Sequence, residues 1–93
     1  MANNLNTNPV SVDTFASDVV ISNLQSNVKS VTFSSPGADH CVMTDLAGNI
    51  VYDSRISAGE CDNQGIDTNF KGLVVDVSAG SFTAGAQLLV YLL

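Results

Sequence analysis

The chain has 93 residues, three Lys plus Arg against nine Asp plus Glu, and a formal net charge of -6. Charged residues make up 13% and hydrophobic residues 45%, which excludes intrinsic disorder, a state of low hydrophobicity and high charge. A chain this short holds one domain with a thin core, and its few scattered cations exclude a nucleic-acid binder, whose phosphate contacts need clustered Lys or Arg.

The first residues hold Asn3, Asn4, Asn6, Asn8 and Pro9 and show no helical or strand period. They predict an extended, mobile arm over residues 1–13. Met1 to Phe15 lack Lys and Arg as well as the apolar run of a signal peptide. The longest apolar run, Leu88 to Leu93, falls far short of the roughly 20 residues that span a bilayer. A product of the cytoplasm with no membrane partner is the expectation.

From Thr14 onward the pattern is β almost throughout. Asp18 to Ile21 is a short β-branched run ended by the polar stretch Ser22 to Asn27. Val28 to Ser34 alternates, with Val31 and Phe33 on one face and Ser30, Thr32 and Ser34 on the other. Ser35-Pro36-Gly37-Ala38-Asp39 is a turn. His40 to Thr44 and Ile50 to Ser54 are the two arms of a hairpin around Asp45 to Asn49. Arg55 to Asn69 has no clear period and reads as a long loop with at most a short strand near Ile66. Phe70 to Val77 resumes as a strand, Ser78-Ala79-Gly80 turns it, and Gln87 to Leu93 closes the chain as a strand. Short strands punctuated by glycine turns predict an all-β domain over residues 14–93. The expected architecture is a small antiparallel sandwich or barrel, jelly-roll or Greek-key like, of about seven to eight strands.

The last strand differs from its neighbours. Leu88, Val90 and Leu92 face one side and Leu89, Tyr91 and Leu93 the other, so both faces are apolar. A strand of a two-layer domain normally turns one face to water, so either this strand is covered on both sides within a monomer or, the favoured reading, Leu89, Tyr91 and Leu93 are an oligomer interface.

Residues that carry chemistry are few. His40 is the lone histidine, and Cys41 beside it points to the opposite face of a strand, so the two form no nucleophilic pair. A Ser–His–Asp arrangement lacks its Gly-x-Ser-x-Gly elbow, and no Walker loop or G-x-G-x-x-G occurs. Two Cys and one His lack zinc-ligand spacing. Glu60, Asp62 and Asp67, with Asn63 between them, offer oxygen ligands but match no calcium-loop spacing and read first as a solvated loop. Cys41 and Cys61 form a disulfide if the chain works outside a cell, or else remain two small buried thiols, which is the favoured reading. No catalytic residue, metal site or cofactor is assigned.

Two stretches carry a resemblance. Asp45-Leu46-Ala47-Gly48-Asn49-Ile50-Val51-Tyr52-Asp53-Ser54 is similar to the Asp-x-x-Gly-Asn-hydrophobic-x-aromatic hairpin of small bacteriophage structural proteins. Phe70 to Gly80, followed by Leu89-Val90-Tyr91-Leu92, looks like the ending of the same proteins. The resemblance implies a virion component of the capsid decoration (cement) type. Such a protein is a homo-oligomer, here expected as a trimer, bound to the major capsid protein on the outer surface of a phage head. An acidic chain suits that surface because packaged DNA repels it. In this reading Asn3, Asn4, Leu5, Asn6 and Val10 of the arm contact the capsid. A tail, spike or fibre-tip module, or a carbohydrate- or ligand-binding β-sandwich using the 55–69 loop, are the alternatives.

Overall fold

A computed structural model of the chain describes Asn3, Leu5 and residues 7–93. The strands are β1 (Val10–Val12), β2 (Val19–Ser34), β3 (His40–Thr44), β4 (Ile50–Arg55), β5 (Cys61–Val75) and β6 (Gln87–Leu92), with a 3-10 turn at Val77–Ala79. They form one open antiparallel sheet in the order β1-β6-β2-β5-β3-β4. The all-β expectation holds.

Two differences from the sequence reading share one cause. The polar stretch Ser22 to Asn27 does not end a strand, and residues 61–69 are not a loop. Both lie inside long strands of 16 and 15 residues that pair with each other from Val19↔Val75 to Ser34↔Cys61. Their joint ladder has irregularities between Val20 and Ser22, Ser22 and Gln25, and Val28 and Ser30, and Asp67 has a positive φ of 50°. Bulges reset which face a side chain points to, so simple alternation is lost although pairing continues. Among the described residues the strands number six, because two expected segments fuse into β2.

The same irregularities shape the molecule. Straight, the 16 residues of β2 would extend about 50 Å at roughly 3.3 Å per residue, yet the longest dimension is 32 Å. The β2–β5 ribbon is bent, and its concave side holds the core. One row of core side chains runs Val12–Leu88–Phe33 across β1, β6 and β2, and ends at Asp62 on β5. A second runs Val19–Val75–Met43–Tyr52 across β2, β5, β3 and β4. Tyr52 donates its hydroxyl to Asp62 Oδ2 at 2.7 Å, so the far ends of the two rows are tied together across the open side of the curl. Phe82 stacks on Phe15 at 4.1 Å between centroids and meets Phe33 edge-on at 5.9 Å, covering one end of the core.

Gly72 has a φ of +87°, and the side chain of Leu46 lies where a Cβ would stand. Leu46 N–H donates to Lys71 O at 3.1 Å, so the tip of the β3–β4 hairpin is laid onto β5 at this glycine. At the hairpin itself Asp45 Oδ1 accepts from the N–H groups of Ala47 and Asn49, the turn chemistry its Asp-x-x-Gly-Asn sequence implies.

The expected extended, mobile arm is corrected over residues 7–13. Residues 10–12 are the edge strand β1, with Val10 1% and Val12 0% exposed. Asn8 adds two bonds in the manner of a strand residue: its Nδ2 donates to Leu92 O and its Oδ1 accepts from Leu92 N–H, both at 2.9 Å. Asn3 Oδ1 accepts from the N–H groups of Asp13 and Thr14, and Leu5 packs against the core. The polar composition concealed this because asparagine side chains substitute for backbone partners. Deleting residues 1–12 removes two fully buried valines, each worth about 1.5–3 kcal/mol. A large fall in melting temperature is the expected result by thermal denaturation, and an unchanged melting temperature would refute the placement of β1.

Candidate functional site

The side chains with chemical potential are dispersed. Cys41 points inward and is fully buried, whereas His40 lies on the other face, where its Nε2 meets Asp53 Oδ1 of β4 at 2.5 Å. Burial, with Asp53 as a further cause, pushes the Cys41 thiol up to about 12, far from a nucleophile's range. Cys61 is exposed, and the two thiols are free, so Cys61 departs from the expectation that both are buried.

Asp39 is 5% exposed and acts as an organiser of loops. It accepts from Ser35 Oγ at 2.5 Å, Thr83 N–H at 2.6 Å and Thr83 Oγ1 at 2.7 Å. Its backbone exchanges two bonds with Ile56. Burial alone would raise the carboxyl's pKa, but the three donors outweigh it and hold it below the ordinary carboxylate value. The three donors tie the turn at 35–39 to the β5–β6 connection through this one carboxylate.

The acidic residues of the expected 55–69 loop do not converge. Glu60 Oε1 accepts from Ser57 N–H, Asp62 takes the Tyr52 hydroxyl, and Asp67 occupies a separate bend of β5. Among the described residues no three His, Cys, Asp or Glu side chains form a group that could hold a metal. The Tyr52 and Ser54 hydroxyls beside Asp62 keep its carboxyl below the usual range, and burial pushes the Tyr52 phenol up. A shallow cleft of about 260 Å³ is lined by Asp13, Gly85, Ala86 and Gln87, a set with no aromatic ring, histidine or cation.

What the fold does display is apolar surface. On β6, Leu88 and Val90 are wholly buried and Leu92 packs against the core, so Leu89, Tyr91 and Leu93 lie on the convex side. Their cross-strand neighbours are small and polar: Ser11 and Thr32 beside Leu89, and Ser30 beside Tyr91. Leu89 and Tyr91 are half-buried by this setting, and Leu93 is 72% exposed. A second group was not legible in the sequence. Val20, Val74, Thr44 and Ile50 are partners in one row across β2, β5, β3 and β4, and Leu46 lies over Gly72 beside that row. Val20, Leu46 and Ile50 are each about half exposed or more. These residues come from four separate segments, so only strand pairing gathers them.

Of the expected capsid-contacting residues, Val10 is excluded by its burial beneath β6 pairing, and Leu5 is turned to the core. Asn3 is engaged with residues 13 and 14, while Asn4 and Asn6 lie outside the described residues.

Comparison with protein-family models, curated proteins and solved structures found no match to this chain.

Two outcomes follow from the burial of these groups. Under native conditions a thiol reagent should modify Cys61 promptly and Cys41 only after unfolding, giving one fast thiol of two. Asp39→Ala should cost about 1–3 kcal/mol by leaving Ser35 and Thr83 donors unpaired. Because the folded-state carboxyl titrates below its unfolded value of about 3.9, its contribution is complete above that pH and is lost as pH falls through the folded value. Chemical denaturation of both proteins should show a gap at pH 7 that narrows below about pH 4. A gap independent of pH would remove the ionised Asp39 from this role.

Proposed function

We propose that this chain is a non-enzymatic structural protein of a phage virion, a decoration (cement) protein that binds the outer surface of a head. It stabilises the shell by bridging subunits of the major capsid protein. The observation that carries this reading is the convex side of β6, where Leu89, Tyr91 and Leu93 stand among serines and threonines with no core contact. Association is driven by a few apolar and aromatic anchors ringed by polar residues, and these side chains have that composition. The acidic balance of the chain favours the outer surface of a shell over the side facing DNA.

Copies join as a homo-oligomer through this side of β6, and a trimer suits three-fold positions of a shell. The bent sheet is read here as a small sandwich of jelly-roll type, its two halves being the β1-β6-β2 and β5-β3-β4 ends of the curled ribbon. The resemblance of the Asp45 to Ser54 hairpin and of the Phe70 to Gly80 and Leu89 to Leu92 segments to small phage structural proteins supports the same conclusion.

Quantitative mass spectrometry of purified particles is the direct test. The chain should be present at a copy number approaching that of the major capsid protein, and absence from particles would overturn the proposal. Leu89→Lys and Tyr91→Lys leave the core rows untouched, so both variants should fold with nearly unchanged melting temperature yet run as monomers in sedimentation and, lacking joined copies, fail to decorate heads. Folded variants that still decorate heads would show that attachment uses another surface.

A further inference from the structure

β4 closes one edge of the sheet. The direction of its backbone groups follows from the ladder. Asp39 and Ile56 exchange both amide bonds, at 3.1 and 2.9 Å. Bonded and unbonded pairs alternate along an antiparallel ladder, so Cys41/Ser54 and Met43/Tyr52 are bonded pairs, and His40/Arg55 and Val42/Asp53 are unbonded. The other side of β3 agrees: His40 exchanges its two backbone bonds with Ser81, and Val42 O accepts from Asp76 N–H. The N–H and C=O of Asp53 and of Arg55 consequently point outward from the edge, into the space where a further strand would lie.

The side chains at these two positions are exposed and of opposite sign. Asp53 is held by His40, and among the described residues no carboxylate lies within salt-bridge distance of Arg55. Open edges are normally guarded by charge, and a guard is effective against a strand that brings like charge opposite it. Here the charges are two residues apart around Ser54. An antiparallel strand of the same sequence centred on Ser54 sets Asp53 against Arg55 twice. Centring on Asp53 would instead set Asp53 against itself. The opposite edge offers no equivalent, since β1 has three residues.

We propose that β4 pairs with β4 of a second copy about a two-fold axis at Ser54, making one continuous antiparallel sheet through both copies. The outward N–H and C=O of Asp53 and Arg55 become bonded to those of Arg55 and Asp53 of the second copy. His40, Asp53 and the second copy's Arg55 then form a charge-assisted row. This contact lies away from Leu89, Tyr91 and Leu93 and does not depend on attachment to a shell.

The test uses the purified full chain alone, by amide hydrogen exchange at low and high concentration together with sedimentation. Exchange at Asp53 and Arg55 N–H should slow about tenfold once about nine-tenths of chains are paired, because exchange then proceeds only from the unpaired fraction. Asp53→Arg and Arg55→Asp singly should abolish this concentration dependence by setting like charges opposite each other. The two substitutions together restore opposite charges and should restore it. Asp53→Pro deletes an N–H that a single copy does not use, and should give a folded chain without the pairing. Concentration-independent exchange at both amides in the native chain overturns the proposal, as does equal behaviour of the single and double charge variants. Failure to find the chain in virus particles would leave this result unaffected, so the two readings fail separately.

Discussion

The bend of the β2–β5 ribbon is the constraint on which the other features depend. Two strands of 16 and 15 residues are too long to lie flat in a molecule 32 Å across, and a flat ribbon would bury only one face against nothing. Once bent, it turns Val31, Phe33, Leu73 and Val75 toward one another, and β6, β1, β3 and β4 extend the two ends of the same concave surface. Tyr52 of β4 and Asp62 at the start of β5 then close the open side with a hydrogen bond between the ends of the two core rows. A thin core becomes sufficient because a single sheet supplies both of its walls.

Holding a sheet in a curl leaves its convex side and its edges without material to cover them. That accounts for where the candidate surfaces lie. The convex side of β6 carries Leu89 and Tyr91 beside serine and threonine, and the other end carries the row from Val20 to Ile50. The polar groups with potential for chemistry are meanwhile occupied by structural duties. Asp39 binds two loops, Asp45 sets a hairpin, Asp62 receives a tyrosine, and Cys41 is sealed in the core.

The parts legible in the sequence were those with local signals. His40 to Thr44 and Ile50 to Ser54 alternate and flank an Asp-x-x-Gly-Asn turn, and they form the expected hairpin. Val31 and Phe33 face the core as their alternation required, and so do Leu88 and Val90. The segments misread were those whose strand character comes from a distant partner. Ser22 to Asn27 and residues 61–69 have weak β propensity and broken periodicity, and they are strands because each lies against a segment of clear strand pattern, the first against Asn69 to Leu73 and the second against Asn27 to Ser34. The arm was misread for a related reason. Asparagine is a loop former in isolation, but Asn8 bonds the backbone of Leu92, 84 residues away, and steers Val10 and Val12 onto β6.

The charge balance and the apolar surplus of the chain were fixed by composition alone, and its all-β character by the order of residues along it, because alternation and turn chemistry are local properties. The sequence also singled out β6 as apolar on both sides. Only the tertiary structure decided what that meant: one side of β6 faces the core and the other is left outward beside small polar neighbours. It alone decided that the first thirteen residues contribute a core strand, that Cys61 is exposed while Cys41 is not, and that Val20, Leu46, Val74 and Ile50 share a surface. The physical reason is that burial and proximity in an antiparallel sheet are set by register between strands far apart in the chain. In this protein the register is controlled by bulges, which erase the period-two signal along the strands that carry them.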